Sequence, residues 1–326
     1  MTRVAVIGAG RRVLGAILPA LHCLRDRFEL AAVYARRERE IDYGLGRVVT
    51  RSSREITLDG VDLVAVAVGL DAIPELLGRL AARRPRHAVL LLDTPVLPPS
   101  RLDAARHFAA FRRVLVAEDN LALPPFLLAR RLIDDGAIGD VRRIYFFHNG
   151  YKYHALASLK LLAGAPITGL RSRRYKGKLR QKQIELANGT SAIMYEPRDY
   201  AVGRFLVEGT RGAIADYSFD GPAARIIGYR LDGPVYRGLT LDGSPLAPAG
   251  LDAAYLAHAG PTIPEASPMN TMKLRGLMDV LAGALEDRSP FHYAPGEGVT
   301  DALAIRIADR VGWVPALGLL ARLGRR

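Results

Sequence analysis

The chain begins with a short apolar run, Val4-Ala5-Val6-Ile7, that leads directly into the turn Gly8-Ala9-Gly10. This pattern predicts a strand, a tight turn and a helix, because the residues after the turn carry apolar side chains at helical spacing. Backbone N–H groups in such a turn can approach a pyrophosphate at the helix N-terminus, so a dinucleotide site is predicted here. Val13 stands where the usual fingerprint has its third glycine. The alternative interpretation is therefore a turn that retains this shape but does not bind a dinucleotide.

Strand and helix patterns alternate over the first 120 residues. Strands are predicted at 3–7, 30–34, 61–68, 88–92 and 114–117, and helices at 15–26, 73–83 and 102–111. The segment 61–68 is almost continuously apolar, as expected for a strand that is buried on both faces. Strands separated by helices predict an α/β domain with a doubly wound parallel sheet, which we assign to residues 1–120. A helix at 124–136 is expected to pack back on this domain.

The pattern changes after residue 120. Strands are predicted at 142–148, 183–187, 192–196, 203–208 and 226–231, and helices at 155–162, 270–285 and 300–311. Asn188-Gly189 is a hairpin signal. Residues 121–326 are therefore expected to form a second, α+β domain with a mostly antiparallel sheet. Residues 232–268 are rich in Gly, Pro and Ala and are expected to form a long loop.

The net charge of +13 admits nucleic acid or an anionic membrane as a partner. The arginines are scattered, however, apart from a basic run at 171–182 that alternates as an exposed strand pair would. We expect a solvated strand face there and neither nucleic acid nor membrane as a partner, with an anionic substrate or partner as the alternative. The single cysteine, Cys23, is expected to be a buried thiol in a cytoplasmic protein. No residue cluster has metal-ligand spacing, so no metal is predicted.

The end of the second predicted strand bears on the identity of the dinucleotide. An acidic residue usually holds the ribose hydroxyls of NAD at this position, and none occurs here before Glu38. Arg36 and Arg37 could bind a 2′-phosphate through paired hydrogen bonds. NADP(H) is therefore favoured over NAD(H), with two solvated arginines as the alternative.

Several segments, in the same order along the chain, resemble the Gfo/Idh/MocA oxidoreductases. They are Gly8-Ala9-Gly10 with Leu18-Pro19-Ala20-Leu21, residues 62–68, Asp93-Thr94-Pro95 at the family's Glu-Lys-Pro, Asn120 with Pro125, residues 133–139, and Glu208-Gly209-Thr210-Arg211-Gly212. The resemblance covers residues 3–215. It implies a Rossmann domain followed by a domain with an open-faced sheet, NAD(P)-dependent oxidoreductase activity on a small molecule, and a homodimer or homotetramer formed through the C-terminal sheet.

The residues predicted to hold the cofactor follow from the turn, the second strand and this resemblance. The pyrophosphate is expected on Gly8, Gly10, Arg11, Arg12 and Val13, the adenosine phosphate on Arg36 and Arg37, the riboses beside Val68, Gly69 and Leu70, and the nicotinamide end near Asp93, Thr94 and Asn120.

The catalytic positions depart from the family pattern. Hydride transfer to a carbonyl creates an alkoxide, so a proton donor and a cation are required. The family places a Lys, an Asp and a His around the substrate carbonyl, and the resemblance aligns these with Thr94, Gly150 and His154. It implies His154 as the proton donor, with Tyr151 before it, and a substrate beside Lys152 and Tyr153.

Several interpretations of this departure stay open. A protonated imine already carries positive charge, so a reductase acting on an imine would need no lysine. Alternatively, Lys152 or Lys160 replaces the lost lysine. A third possibility is that the protein has lost redox activity and binds a ligand, has a regulatory role, or uses its cofactor for non-redox chemistry. We favour an NAD(P)H-dependent oxidoreductase that reduces an imine or carbonyl of a small, possibly cyclic, substrate, with a structural role for His154 as the alternative.

Overall fold

The computed structural model describes residues 1–150, 152–199, 203–221 and 223–315. Its contacts divide the chain into two compact units. The first comprises Met1–Ala122, Leu231–Tyr236 and Pro248–Gly298, and the second comprises Leu123–Arg230, Arg237–Ala247 and the described residues from Val299 onward. The sequence predicts a single boundary after residue 120. The inclusion of a distant C-terminal segment in the first unit is a result of tertiary contacts.

The first unit contains a seven-stranded sheet. Its strands are β1 (Thr2–Ile7), β2 (Phe28–Ala35), β3 (Glu40–Asp42), β4 (Arg47–Ser52), β5 (Leu63–Val66), β6 (Val89–Leu92) and β7 (Arg113–Val116). They lie in the order β3-β4-β2-β1-β5-β6-β7, and all neighbours are parallel except the antiparallel pair β3–β4. Without β3 this is the strand order of the Rossmann fold, which confirms the predicted doubly wound sheet.

The described residues form seven α-helices in addition to the strands. They are α1 (Leu18–Cys23), α2 (Ile73–Ala82), α3 (Pro124–Asp134), α4 (Lys152–Ala163), α5 (Asp252–His258), α6 (Pro268–Gly283) and α7 (Pro295–Val311). The predicted helix at 102–111 is a 3-10 segment, Pro99–Ala110, with non-helical backbone at Arg101. No helix in the described part of the chain is long and apolar enough to cross a membrane.

The central strands of the first unit are completely buried. Every residue of β5 and β6 is inaccessible to solvent, as their apolar sequences predict for strands covered on both faces. Helices α1, α5 and α6 pack together in this unit, and α6 also contacts the turns that follow β1 and β7. The fold thereby brings a helix from late in the sequence to the carboxyl edge of the N-terminal sheet.

The second unit contains a ten-stranded sheet. Its strands are β8 (Val141–Phe147), β9 (Ile167–Arg174), β10 (Arg180–Leu186), β11 (Ser191–Glu196), β12 (Arg204–Gly209), β13 (Ala213–Ala215), β14 (Ala224–Asp232), β15 (Val235–Leu241), β16 (Ser244–Pro245) and β17 (Trp313–Pro315). Their order is β16-β15-β14-β13-β12-β8-β11-β10-β9-β17. The pairs β8–β11 and β13–β14 are parallel, and the sheet is otherwise mostly antiparallel, as predicted.

The prediction of a long loop at 232–268 is wrong. This segment contains β15, β16 and α5. Its glycines are used at tight turns: Gly233 and Gly243 have φ of 55° and 83° and stand at the turns before β15 and β16. A high glycine and proline content therefore marks the turns between short elements here.

The side chains on the two faces of the second sheet pack against different neighbours. Phe146 of β8 is fully buried and stacks on Phe126 of α3 with ring centroids 5.3 Å apart. Its neighbours Tyr145 and Phe147 point to the opposite face, are partly exposed and stack on each other at 5.6 Å. Helix α3, which is predicted to pack back on the first domain, contacts α4 in the second unit. One face therefore packs against α3, and the aromatic side chains of the other face stay partly exposed among the described residues.

The basic run at 171–182 forms the predicted strand pair β9–β10, with a turn between the strands. One residue of the run contradicts the expectation of a solvated face. The Lys182 side chain is 0% exposed, forms an ion pair with Glu196, and lies 3.2 Å from Asp309 of α7. Burying an ammonium group is tolerable only when it is paired, and two carboxylates meet that condition here.

Asp216 follows β13 and is the carboxylate of this sheet whose environment most favours its protonated form. It is 8% exposed, and its carboxylate accepts hydrogen bonds from the Phe205 N–H at 2.7 Å and the Tyr229 hydroxyl at 2.8 Å. Burial raises the pKa of Asp216 to about 6, and the two hydrogen bonds oppose this rise.

The raised pKa of Asp216 predicts a pH-dependent stability. The folded state binds a proton more tightly than the unfolded state, so the stabilisation present below pH 4 is lost as the pH rises through 6. In the Asp216→Asn variant this loss disappears. We expect the free energy of unfolding of the wild type, relative to this variant, to fall by about 2 kcal/mol between pH 4 and pH 7. Denaturant unfolding of both proteins at the two pH values measures this, and a constant difference would contradict it.

Candidate functional site

The carboxyl edge of the first sheet contains a switch point between β1 and β5, the position at which doubly wound sheets bind their ligands. Gly8 ends β1 there. Its N–H donates to the Tyr34 carbonyl at 2.8 Å. Gly8 has φ of 128°, and a Cβ on this residue would lie 2.1 Å from the Ala67 carbonyl oxygen. The turn therefore requires glycine at this position, because a side chain would force β1 and β5 apart.

Two other glycines at this edge face open space. A Cβ on Gly10 or on Gly69 would meet no atom of the described residues within 4 Å. Gly10 opens the helix after β1, and its carbonyl accepts hydrogen bonds from the N–H groups of Val13 and Leu14 at 3.0 and 3.1 Å. Gly69 precedes the 3-10 turn after β5. No protein contact requires a glycine at either position, and the space above both would admit a phosphate close to the backbone.

Val13 occupies the position of the third fingerprint glycine without disrupting the turn. It is fully buried, and its Cγ2 would lie 3.3 Å from a Cβ on Gly8. The helix begins here as a π-helical turn, Val13–Ile17. A π-turn is wider than an α-turn and is often found at functional sites. The bulky residue is thus accommodated beside the strand.

Arg12 connects the glycine turn to the ends of two further strands. Its Nε lies 3.1 Å from Asp93 after β6, its Nη1 lies 2.6 Å from Asp119 after β7, and its Nη2 lies 3.3 Å from the Ala117 carbonyl. Burial lowers the pKa of Arg12, but the carboxylates of Asp119 and Asp93 outweigh it and hold this pKa above its usual value. Arg12 and Asp93, predicted separately as cofactor contacts, therefore form one ion-pair network.

Asp119 was missed by the sequence analysis, although it precedes the predicted Asn120. Glu118, Asp119 and Asn120 are all buried in the turn after β7. The Asn120 side chain donates to Asp119 at 2.9 Å, and its N–H donates to Glu118 at 3.2 Å. The signal in the sequence for this site was the pair of carboxylates, Glu118 and Asp119, that follows β7. The carboxyl ends of parallel strands lie at one edge of the sheet, so residues there lie close together.

Lys273 of α6 also reaches this edge, and the sequence analysis gave no sign of it. Its Nζ lies 4.0 Å from Asp119 Oδ1. Gly276, one turn later, allows the approach: a Cβ there would lie 2.8 Å from the Ala122 carbonyl and 2.9 Å from the Asp119 carbonyl. The lysine is separated from Asp119 by more than 150 positions, so only the fold brings them together.

Arg36 and Arg37 follow β2 and are exposed. Neither forms an ion pair with any described residue, and the nearby Glu38 carboxylate accepts a hydrogen bond from the Ser52 N–H at 3.2 Å. Val68 and Leu70 follow β5 and are partly exposed beside Gly69. The structure thus leaves two guanidinium groups available at the end of β2, next to the switch point.

The predicted catalytic residues lie at the start of α4 in the second unit. His154 is the third residue of this helix, is partly exposed, and has its ring 4.5 Å from that of Tyr153. Tyr151 lies outside the described residues. Lys152 is exposed, whereas Lys160 lies 2.9 Å from the buried Asp301. The ion pair of Lys160 gives this lysine a structural role within the second unit.

Gly150, which aligns with the Asp of the family, has no room for a side chain. A Cβ there would lie 2.6 Å from Met194 Sδ, 2.7 Å from Ala155 Cβ and 3.0 Å from Phe146 Cδ2. An acidic residue could enter only if these three neighbours moved. The position that the resemblance aligns with the family's Asp therefore has no space for a carboxylate among the described residues.

The turn before α4 is held to the segment after β11 by three hydrogen bonds. The Lys152 N–H donates to Glu196 at 3.0 Å, His148 Nδ1 donates to the Pro197 carbonyl at 2.6 Å, and the Asp199 N–H donates to the His148 carbonyl at 2.9 Å. His148 and Lys152 have φ of 57° and 45°. For residues other than glycine this conformation costs on the order of 1–3 kcal/mol and is found mainly at functional sites.

No family model and no curated protein sequence matches the chain. Solved structures match it over almost its whole length. An oxidoreductase from Thermotoga maritima is 16% identical, with a TM-score of 0.65 and coverage of 98% of this chain and 99% of that chain. An oxidoreductase from Agrobacterium radiobacter in complex with NAD+, L-tartaric acid and magnesium is 16% identical, with a TM-score of 0.64 and the same coverage. An aldose-aldose oxidoreductase from Caulobacter crescentus complexed with glycerol is 17% identical, with a TM-score of 0.61 and coverage of 96% and 99%.

At these identities the likeness establishes the fold. The chain, with its Rossmann unit and its second unit built on a mostly antiparallel sheet, shares its overall fold with these oxidoreductases. The predicted resemblance to the Gfo/Idh/MocA oxidoreductases is thereby confirmed for the fold.

Proposed function

We propose that the protein is an NAD(P)-dependent oxidoreductase that transfers a hydride to a carbonyl or imine of a small molecule. The observation that carries this proposal is the pair of glycines, Gly10 and Gly69, that face open space at the switch point of a Rossmann sheet. The requirement for glycine at Gly8 gives the turn its shape. Structures of similar fold are oxidoreductases, and one of them contains NAD+.

The cofactor would lie along this edge. Gly8, Gly10 and the N–H groups of residues 11–13 would hold the pyrophosphate, Val68 to Leu70 would flank the riboses, and Asp93, Thr94 and Asn120 would lie at the nicotinamide end. A bound nicotinamide would supply the hydride. In this arrangement the Arg12 network fixes the wall of the site, since three hydrogen bonds hold its guanidinium.

The exposed pair Arg36 and Arg37 supports NADP(H) over NAD(H). A guanidinium forms paired hydrogen bonds with a phosphate group, and no described residue competes for either side chain through an ion pair. For the chemical step, His154 would donate the proton, because its imidazole carries a ring N–H donor and is partly exposed at the start of α4.

The open face of the second sheet supports self-association. Tyr145, Phe147, Tyr217, Phe219 and Ile226 are partly buried around a small apolar cluster on this face. Exposed aromatic side chains are enriched in protein interfaces. We therefore propose a homodimer or homotetramer formed through this sheet, in a cytoplasmic protein.

Gly10→Ala tests the cofactor site without disturbing the turn. We expect unchanged thermal stability, because the new Cβ meets no protein atom, and a loss of roughly tenfold or more in affinity for NADPH, because the Cβ enters the phosphate space. Nicotinamide fluorescence titration measures the affinity. Gly8→Ala is the contrasting variant and is expected to lose stability. Equal NADPH affinity in the wild type and Gly10→Ala would rule out this placement of the pyrophosphate.

Arg36→Ala/Arg37→Ala tests the cofactor preference. Removing both guanidinium groups is expected to weaken NADPH binding about tenfold or more and to leave NADH binding unchanged. The matched control, Arg173→Ala/Arg174→Ala, removes two exposed arginines from the second unit and should change neither affinity. A wild type that prefers NADH by a factor of ten would overturn the assignment.

His154→Ala tests the proton donor. With NADPH and a panel of small ketones, aldehydes and cyclic imines, turnover is expected to fall about 100-fold or more while NADPH affinity stays constant. His87→Ala, at an exposed histidine of the first unit, is the control. Unchanged turnover would remove His154 from the mechanism. If the wild type binds NADPH and panel compounds yet consumes no cofactor, a ligand-binding or regulatory role replaces the proposed reaction.

A further inference from the structure

Lys273 has a fixed place at the carboxyl edge of the first sheet. It lies on α6, on the same helix face as Gly276 one turn later. Gly276 allows α6 to approach the backbone of Asp119 and Ala122 so closely that a Cβ would meet both carbonyls at under 3 Å. The helix also contacts the π-helical turn that follows Gly10. The position of Lys273 is therefore set by packing on both sides of the predicted cofactor site.

The side chain of Lys273 is largely buried, and its ammonium group makes no hydrogen bond to any described residue. Its side chain is 17% exposed, and its one ion-pair contact is Asp119 Oδ1 at 4.0 Å. Both oxygens of Asp119 already accept hydrogen bonds, Oδ1 from Asn120 and Oδ2 from Arg12. The carboxylate offsets the charge of the lysine, which makes burial tolerable. The N–H donors of Lys273 are left for another acceptor.

The neighbouring cations at this edge differ from Lys273 in their partners and in their exposure to solvent. The guanidinium of Arg12 is held by three acceptors of the protein. Arg11 is 86% exposed and lies 3.6 Å from Glu265. Lys273 is thus the cation in this part of the described structure that combines burial with unused donors. Lys273 is linked to Asp93 through Asp119 and Arg12, so it would lie at the nicotinamide end if Asp93 does, as the proposed function has it.

We propose that Lys273 is the catalytic cation that holds the oxygen of a carbonyl substrate. The inference rests on the proposed function and narrows its substrate class to aldehydes and ketones. The carbonyl carbon accepts a hydride from the reduced nicotinamide, and the C=O π pair moves to oxygen. Lys273 stabilises the resulting alkoxide until that oxygen takes a proton. One carbonyl compound, one reduced nicotinamide and one proton give one alcohol and one oxidised nicotinamide.

A binding measurement tests this position before any substrate is known. Oxidised nicotinamide carries a positive charge that the reduced ring lacks, so a nearby ammonium disfavours NADP+. In Lys273→Met the ratio of the Kd for NADP+ to the Kd for NADPH is expected to fall about fivefold to tenfold. Lys273→Arg keeps the charge and should keep the ratio. Lys178→Met removes an exposed lysine from the second unit and is the matched control.

The outcomes separate the two proposals. If the wild type binds neither NADP(H) nor NAD(H), the proposed function fails. If NADP+ and NADPH both bind and the ratio is the same in Lys273→Met as in the wild type, the lysine is not beside the nicotinamide and this inference is overturned. In the panel of ketones, aldehydes and cyclic imines, Lys273→Met should lower turnover of the carbonyl compounds about 100-fold. Turnover of imines alone by the wild type would contradict the carbonyl assignment.

Discussion

The close approach of β1 to the end of β5 at Gly8 is the contact on which the rest of the site depends. It requires a residue without a side chain at φ of 128°, because the Ala67 carbonyl occupies the place of a Cβ. The turn directs the chain into a helix that contains the π-helical segment Val13–Ile17. As a result Gly10 faces open space, and Arg12 lies where it can reach the ends of β6 and β7.

Arg12, which follows β1, binds residues at the ends of β6 and β7 and so connects the ends of three strands. Two carboxylates and a carbonyl group share its guanidinium, and one of these carboxylates also attracts Lys273 from α6. Buried ion pairs stabilise only when desolvation is offset by several good partners, and this network meets that condition. The two cations therefore differ in role. Arg12 holds the three strand ends together, and Lys273 has N–H donors available for a ligand.

In the second unit, the residues around the start of α4 pack together with a glycine at residue 150. Met194, Ala155 and Phe146 fill the space that a carboxylate at residue 150 would need. The start of α4 is nevertheless held by Glu196, and Lys182 pairs with that carboxylate in the interior of the sheet. Buried charged residues thus help to position the helix that carries His154. The proposed chemistry relies on fewer side chains of that helix.

The sequence by itself determined the features that depend on neighbours along the chain. The apolar runs of β1, β5 and β6 predicted buried parallel strands, and Gly8-Ala9-Gly10 predicted the turn, because both follow from local backbone and side-chain periodicity. The extent of the units, the strands within 232–268 and the burial of Lys182 were decided by the tertiary structure. So was the meeting of Arg12, Asp93, Asp119 and Lys273, because ion pairs between residues this far apart leave no periodic signal and form only when strand ends and a late helix converge on one edge.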